Sequence, residues 1–414
     1  MDKSKWLKTM EIYDEYERRF AEARTGKSFH VPSSESDKAE IVEKVKKMLA
    51  FKDSMIPSIG ELEEVSRITH GTYDVVQLRY ETWENFYSAA SLYLPHGKEK
   101  APLAFVFCGH GKNGRLTRGY VSMANRLAKM GIAVIVPDNI GQGSRSVQGH
   151  WEVIAPFYCG LTLQGMILME SVALIRRMAS DPRFDSSKMF ACGNSGGGTL
   201  CVLLAALAPE LSMLSASGYP SEFSYLLAKE RKHCACNLLP GCANAPDMWE
   251  ILSVFAPKPL FIEQGINDNL IPDDLFLRTA RKVKHTYLQA DAENNFSYAL
   301  AQTLHPWVNA DRELIANFFA SNLDLPEAKD ENDEDEELIA LSENWNVFPP
   351  DGSLDVEQLA QKLTGKTMPK DTTLDKIFVP TYNQKEISPD DIISDIGRGD
   401  VMRILAQMEC ALKK

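Results

Sequence analysis

Buried β-strands alternate with helical segments through the middle of the sequence, and this alternation restricts the fold more than any other feature. Strands covered on both faces of a sheet read as continuous apolar runs, and residues 102–108 and 132–137 have this composition. Between them, residues 120–130 have helical periodicity and end at Gly131. Further strands are expected at 189–192, 211–216, 259–263 and 284–288, and further helices at 163–178, 199–207 and 311–319.

Two different patterns precede this region. Residues 1–65 have helical spacing of their apolar side chains, with Ser34 or Ser36 as the N-cap of a second helix. Residues 73–80 and 86–94 alternate apolar and polar positions, which indicates an antiparallel hairpin. The whole order predicts an α/β protein with a mostly parallel, doubly wound sheet that opens with an antiparallel hairpin.

The chain has 414 residues, of which 44% are hydrophobic and 25% charged, the balance of a soluble globular protein that is larger than one ordinary domain. We therefore expect one large domain with additions. The predicted parts are an N-terminal helical segment packing on the core at 1–65, an α/β domain at 66–325 with insertions near 145–165 and 217–250, an acidic linker at 326–337 and a C-terminal extension at 338–414.

Charge and hydropathy exclude several classes of partner. Most of the net charge of −12 lies after residue 325, and the remainder has no basic patch, which argues against nucleic acid. The sequence shows neither an apolar leader nor a run long enough to cross a bilayer, so we expect a cytoplasmic protein with no membrane partner. The apolar residues of the extension predict docking on a neighbouring subunit, as in a homodimer, or on the insertions; free disorder is the alternative.

The motif Gly193-Asn194-Ser195-Gly196-Gly197 lies between an apolar strand and an apolar helix. This is the context of the G-x-S-x-G turn, in which a strained backbone lifts a nucleophilic serine above the sheet edge. The two outer glycines remove side chains that would collide with neighbouring backbone. We predict Ser195 as nucleophile and the amide of Gly196 as an oxyanion donor; the alternative is a glycine-rich turn that merely contains a serine.

A second donor is expected after the strand at 102–108, where His110 and Gly111 follow directly. Negative charge that develops on a carbonyl oxygen needs more than one donor for its stabilisation. The amide of Lys112 or of Gly111 is the predicted second donor. His110 is expected to be a structural hydrogen-bonding residue rather than the base.

The supporting acid is sought at the carboxyl end of the strand that begins at residue 259. Asp268 follows Gly265 by three residues, which places its carboxylate at the same sheet edge as the serine. Asp273 and Asp274 are rivals, whereas Glu263 is expected within the strand.

The base is predicted from its position in the chain. His305 comes after the last expected strand, while His285 falls on that strand and His233 precedes the acid. The order Ser195, Asp268, His305 is the order of nucleophile, acid and histidine in hydrolases with a G-x-S-x-G turn.

The segments that contain Ser195, His110, Asp268 and His305 resemble those of the α/β-hydrolases, in particular the branch of dienelactone hydrolases, acetyl xylan esterases and prolyl-oligopeptidase-like enzymes. Residues 110–114 are similar to the oxyanion-loop motif of acetyl xylan esterases, except that Lys112 stands where an aromatic residue often follows. Residues 137–144 and 256–260 resemble the loop after the next strand and the entry to the acid-bearing strand. The resemblance covers about residues 65–325. It implies a Ser-Asp-His triad that hydrolyses esters of small acyl groups without a cofactor.

We therefore predict a serine hydrolase that cleaves a carboxylic ester of a small or medium substrate. A peptidase or amidase, a carbon–carbon bond hydrolase and a non-catalytic binding protein remain alternatives. Aromatic residues could line the substrate pocket or form the core of the insertions; the candidates are Trp151, Tyr158, Tyr219, Phe223 and Trp307. Arg145 and Arg231 could hold a carboxylate, although surface ion pairs are the simpler expectation.

The cysteines are interpreted as reduced thiols. Several of the eight lie in apolar runs, as buried thiols do. His233, Cys234, Cys236 and Cys242 could supply four zinc ligands, but the Cys-x-Cys spacing is unlike the usual paired knuckles. Loop thiols near the rim of the active site are expected instead, with no metal.

Overall fold

The computed structural model describes residues 3–24, 31–228, 234–327, 334–379 and 398–413. One nine-stranded sheet, in the order β1-β2-β3-β5-β4-β6-β7-β8-β9, forms its centre. The strands are β1 (Glu63–His70), β2 (Tyr73–Glu81), β3 (Tyr87–Pro95), β4 (Ala101–Phe107), β5 (Ala133–Pro137), β6 (Phe184–Asn194), β7 (Met213–Ser217), β8 (Leu260–Gly265) and β9 (Phe296–Ala301). Pairing is antiparallel from β1 through β3 to β5 and parallel from β5 to β9.

The helices lie before the sheet, between its strands and after it. They are α1 (Lys3–Arg24), α2 (Glu35–Leu49), α3 (Arg118–Lys129), α4 (Ala155–Tyr158), α5 (Leu163–Ala179), α6 (Gly196–Leu207), α7 (Phe223–Ala228), α8 (Met248–Ser253), α9 (Asp273–Gln289), α10 (Asn309–Asn322), α11 (Glu336–Ser342), α12 (Val356–Thr364), α13 (Leu374–Phe378) and α14 (Arg398–Leu412). Within these described residues, every helix is too short or too polar to cross a bilayer.

The predicted α/β fold is confirmed. The apolar runs form β4 and β5, whose strands pair in parallel and whose residues are almost all buried. Helices cover the sheet on both sides, and each side has its own hydrophobic cluster. The hairpin of β2 and β3 is present, and Ser34 caps α2 by accepting a hydrogen bond from the amide of Asp37.

The end of the sheet differs from the expectation. Residues 284–288 belong to α9, so His285 lies on a helix and not on a strand; the last strand is β9. Side chains that are buried at helical spacing, including Phe276, Ala280 and Val283, hold α9 against the core. The first strand, β1, is also unpredicted, because its side chains are mostly exposed and lack an apolar alternation.

The C-terminal extension packs on its own chain. Leu338 and Trp345 are buried in one hydrophobic cluster, and Leu359 is fully buried in the other. The guanidinium of Arg115, itself buried, donates to the carbonyl oxygen of Trp345 at 2.5 Å. These contacts make residues 334–379 part of the main fold, whereas a homodimer through the extension stays a prediction.

The described end of the predicted acidic linker contacts the main fold. The carboxylate of Glu334 pairs with Arg118 at 2.9 Å and with Arg312 at 3.2 Å. Asp335 accepts a hydrogen bond from the amide of Leu338 and so caps α11. Residues 328–333 of the predicted linker lie outside the described residues.

Arg145 does not form the expected surface ion pair. Its side chain is fully buried and pairs with Glu170, with one nitrogen–oxygen distance of 3.0 Å. It also donates to the carbonyl oxygen of Asp138 and to the hydroxyl of Ser88. Arg145 therefore fixes the loop after β5 and has no free donors for a substrate carboxylate; Arg231 lies outside the described residues.

A carboxyl pair is buried where β8 approaches α10. Burial and the neighbouring Asp311 carboxylate raise the pKa of Glu263 to about 8. Burial also raises the pKa of Asp311, which accepts hydrogen bonds from the hydroxyl of Thr303 at 2.7 Å and from the amide of Val308 at 2.9 Å. The pair therefore holds a proton on Glu263 near neutral pH.

We expect Leu359→Ala to lower the free energy of unfolding by about 2–5 kcal/mol, because it removes a fully buried side chain that joins α12 to the core. Urea denaturation of the full chain measures the change. Lys362→Ala, on the exposed face of the same helix, should cost less than about 1 kcal/mol. A change below about 1 kcal/mol for Leu359→Ala would show that the extension is only loosely attached.

Glu263→Gln should stabilise the protein at alkaline pH and have little effect at pH 5. An ordinary glutamate loses its proton near pH 4.5, so the folded state of the wild type loses stability as the pH rises through about 8. Glutamine has a neutral side chain that can form hydrogen bonds at every pH in this range. The melting temperature of the variant should exceed that of the wild type by about 2 °C or more at pH 9. The control Glu293→Gln, at an exposed position, should have the melting temperature of the wild type at pH 9. An equal rise in the melting temperature of both variants would contradict a buried, protonated Glu263.

Candidate active site

Ser195 occupies a strained turn between β6 and α6. Its backbone has φ 58° and ψ −119°, a region that residues with a side chain rarely adopt. Close packing allows this turn only with glycine at its flanks: a Cβ on Gly197 would lie 2.0 Å from the carbonyl oxygen of Phe107. The amide of Ser195 donates to the carbonyl oxygen of Ser217 at 3.0 Å, which ties the turn to the end of β7.

His305 and Asp268 meet at the same edge of the sheet. The Nδ1 atom of His305 lies 2.7 Å from Oδ2 of Asp268, and the Asp268 side chain is fully buried. The other carboxylate oxygen accepts from the amide of Leu270 at 2.7 Å. Asp268 is therefore held in place, and because its carboxylate only accepts, the His305 ring carries its proton on Nδ1.

The backbone of His305 also contacts the serine turn. The amide side chain of Asn194, the residue before the nucleophile candidate, donates to the carbonyl oxygen of His305 at 2.9 Å. The ring packs against Gly218, where a Cβ would be 3.2 Å from its Cε1 atom. The Nε2 atom is buried and has no hydrogen-bond partner in the described part of the chain, so its lone pair is available to a hydroxyl.

The loop after β4 approaches the serine through Gly109. A Cβ on Gly109 would lie 2.9 Å from Cβ of Ser195, and its amide donates to the hydroxyl of Tyr120 at 2.6 Å. Burial raises the pKa of Tyr120, so that hydroxyl keeps its proton. The next residue, His110, has an amide with no partner among the residues described, and its ring packs on Gly196.

This geometry corrects one predicted oxyanion donor. The amide of Gly111 donates to the Oε1 atom of Gln142 at 3.1 Å, so it is not free for a substrate oxygen. Lys112 is exposed and lies three residues beyond Gly109, the point of contact with Ser195. His110, which directly follows Gly109, was not predicted as a candidate donor because the sequence does not show which glycine touches the serine.

The predicted pocket residues lie in different environments. Phe223 and Trp307 are buried in the hydrophobic clusters, and Tyr219 is also buried, so these three rings form core rather than an open wall. Tyr158 is half-buried against the core. Only Trp151 of the five is substantially exposed, at 48%, and it packs against the ring of His110.

A cavity of about 830 Å³ lies elsewhere, with walls from α1, the second insertion and α14. Tyr16, Glu222 and Met408 are among its lining residues, and Ser195, Asp268 and His305 are not. We therefore do not assign this cavity to the chemistry of the serine.

The cysteines are buried, and no disulfide joins any of the eight. The structure does not assemble the set of zinc ligands that was considered as an alternative from the sequence: Cys234 and Cys236 lie together, but Cys242 lies beside Cys410. His233 is outside the described residues. The two neighbouring cysteines instead face two histidines from other loops, His110 and His150.

Comparison with known families supports this assignment of the fold. Residues 58–228 match the model of the acetyl xylan esterase family, AXE1. The matched segment runs from the start of the sheet to α7 and includes the loop of His110 and the turn of Ser195, but not Asp268 or His305. No curated protein sequence matches the chain.

Several solved structures share the fold at low sequence identity. The methylesterase BT1017 is 19% identical, with a TM-score of 0.57 over 90% of this chain and 79% of that protein. A glucuronoyl esterase from Solibacter usitatus is 12% identical, with a TM-score of 0.54 over 69% of this chain and 92% of that protein. A glucuronoyl esterase from Teredinibacter turnerae is 11% identical, with a TM-score of 0.53 over 70% and 84%. The chain therefore has the α/β-hydrolase fold, and the predicted resemblance to the branch of the acetyl xylan esterases is confirmed over residues 58–228.

Proposed function

We propose that the chain is a serine hydrolase that cleaves a carboxylic ester through an acyl-enzyme on Ser195. One observation carries the proposal: His305, whose ring is held by Asp268 at 2.7 Å, is hydrogen-bonded through its carbonyl oxygen to Asn194, the residue before a serine in the strained conformation of a nucleophile turn. A glycine-rich turn without a catalytic role would need neither the strain nor the buried carboxylate.

The chemistry follows from the positions of these groups. The hydroxyl of Ser195 attacks the carbonyl carbon, and Nε2 of His305 accepts its proton. Asp268 stabilises the imidazolium that forms and keeps Nδ1 protonated. His305 then gives the proton to the leaving alcohol, and water releases the acyl group by the same route in reverse.

The amides of Gly196 and His110 are the proposed oxyanion donors. Gly196 begins α6, where the first amides of a helix have no acceptor within the helix. His110 directly follows the glycine that touches Ser195, and its ring rests on Gly196. Two fixed donors on opposite sides of the serine suit the charge of a tetrahedral intermediate, and each is worth about 3–4 kcal/mol in such sites.

The family match and the names of the structural relatives favour an ester on a carbohydrate as substrate. Trp151 adds a structural argument, because its exposed ring lies against His110 beside the proposed oxyanion donor. An aromatic face of this kind contacts the apolar face of a sugar ring. A peptidase has no comparable support from the family match or from these structural relatives.

Ser195→Ala should lower kcat for a small nitrophenyl ester by about 10⁴-fold or more, because the variant lacks the nucleophile. Steady-state hydrolysis assays measure the loss. Ser215→Ala, which removes a buried hydroxyl without a hydrogen-bond partner on β7, is the matched control and should keep its activity within a few-fold. Ester turnover by Ser195→Ala at the wild-type rate would refute the proposal.

A substrate panel separates the ester hydrolase from its rivals. Acetylated xylan, a methyl ester and a glucuronoyl ester should be compared with anilides and with a carbon–carbon bond substrate, at equal concentration. We expect kcat/KM to be highest for one of the esters. A higher value for an anilide or for the carbon–carbon bond substrate would replace ester hydrolysis with that reaction.

A further inference from the structure

Four metal-ligating side chains converge next to the serine turn. His110 comes from the loop after β4, His150 from the first insertion, and Cys234 and Cys236 from the second insertion. Their ligand atoms all lie within 4.8 Å of one another. The cluster therefore joins three loops that are far apart in sequence.

The distances within the cluster are short. The Nε2 atom of His110 lies 2.9 Å from Nε2 of His150 and 3.1 Å from Sγ of Cys234. The Sγ atom of Cys236 lies 3.3 Å from the same nitrogen and 2.7 Å from Sγ of Cys234. A tetrahedral zinc ion keeps such atoms about 3.3–3.8 Å apart, so movements of about 1 Å would seat it.

A second interaction fixes one of the histidines for metal binding. The Nδ1 atom of His150 lies 2.7 Å from the carbonyl oxygen of Ile140, which can only accept a hydrogen bond. Nδ1 therefore carries the proton, and the lone pair of Nε2 points into the cluster. Metal-binding histidines usually have this arrangement, in which a carbonyl group orients the ring and sets its tautomer.

Burial and charge favour a cation at this position. Cys234, Cys236 and His150 are all more than 95% buried, and His110 is partly buried. Cysteine binds zinc as a thiolate, and the divalent charge of the ion would balance two thiolates at this buried position.

We propose that His110, His150, Cys234 and Cys236 bind one structural zinc ion. Two thiolates and two imidazoles are the donor set that zinc prefers, and four protein ligands leave no position for a substrate or a catalytic water. The ion would therefore hold the two insertions against the loop after β4.

The site has a consequence for the proposed active site, although its existence does not depend on that function. The ring of His110 packs on Gly196, and the amide of His110 is a proposed oxyanion donor. Zinc bound to this ring would fix the position of that amide. The same ion would hold Trp151, whose ring contacts both histidine rings.

Metal analysis of the tag-free, full-length protein tests the proposal directly. Protein purified without chelators should contain about one zinc per chain. Substitution of a residue that hydrogen-bonds to a metal ligand typically lowers metal affinity by about 10–100-fold. Cys234→Ser and Cys236→Ser remove a ligand itself, so each should lower zinc affinity by more than this. Cys242→Ser is the matched control, because it is a buried cysteine of the same insertion outside the cluster, and it should keep its zinc.

Cobalt substitution of the wild-type chain keeps the test decisive if a cysteine variant does not fold. Protein stripped of metal and reloaded with Co²⁺ should show thiolate-to-cobalt charge transfer and the strong visible bands of a tetrahedral site. His150→Ala should lose these bands. Removal of zinc by a chelator should lower the melting temperature, and added Zn²⁺ should restore it.

Three results would overturn the zinc site. These are wild-type protein that neither contains nor binds zinc, equal zinc content in the wild type and in folded Cys234→Ser, and a disulfide between Cys234 and Cys236. The disulfide would appear as an intact mass lower by two hydrogen atoms. Each readout is independent of ester hydrolysis, so failure of the proposed function would leave this test unaffected.

Discussion

The strained backbone of Ser195 is the constraint on which the rest of the site depends. A conformation with φ 58° and ψ −119° costs about 1–3 kcal/mol, so the surrounding structure must enforce it. The parallel pairing of β6 with β4 and β7 does so from both sides, and a Cβ on Gly193 would lie 2.5 Å from the backbone of Gly197. The turn raises the hydroxyl above the sheet edge, to which the segments after β8 and β9 bring Asp268 and His305.

The two insertions contact segments of the C-terminal extension. The carboxylate of Glu357, in α12, accepts hydrogen bonds from the amides of Ile154 and Ala155 at the start of α4. The carbonyl oxygen of Cys410, near the end of α14, accepts from the amide of Gly241 in the second insertion at 3.0 Å. The extension thus holds both insertions, and the proposed zinc ion would connect them to the loop that contains His110, the second proposed oxyanion donor.

Sequence patterns predicted the parts of this structure that local physics determines. The Gly-x-Ser-x-Gly turn with its flanking elements, the hairpin and the chain order of Ser195, Asp268 and His305 could all be read from spacing and composition. Residues 284–288 were misassigned because a short β-branched and aromatic run fits both a strand and one turn of an amphipathic helix. Contacts between loops could not be predicted: spacing suggested Cys242 as a partner of Cys234, whereas the fold brings His150 there.

Covalent trapping tests the central claim, that the hydroxyl of Ser195 is made nucleophilic by His305 and Asp268. The protein should be treated with a fluorophosphonate probe, digested and mapped by mass spectrometry, alongside His305→Ala. The account predicts one phosphonyl adduct, on the peptide that contains Ser195, with labelling slowed by orders of magnitude in the variant. An adduct on another residue, or equal labelling rates in the two proteins, would contradict it.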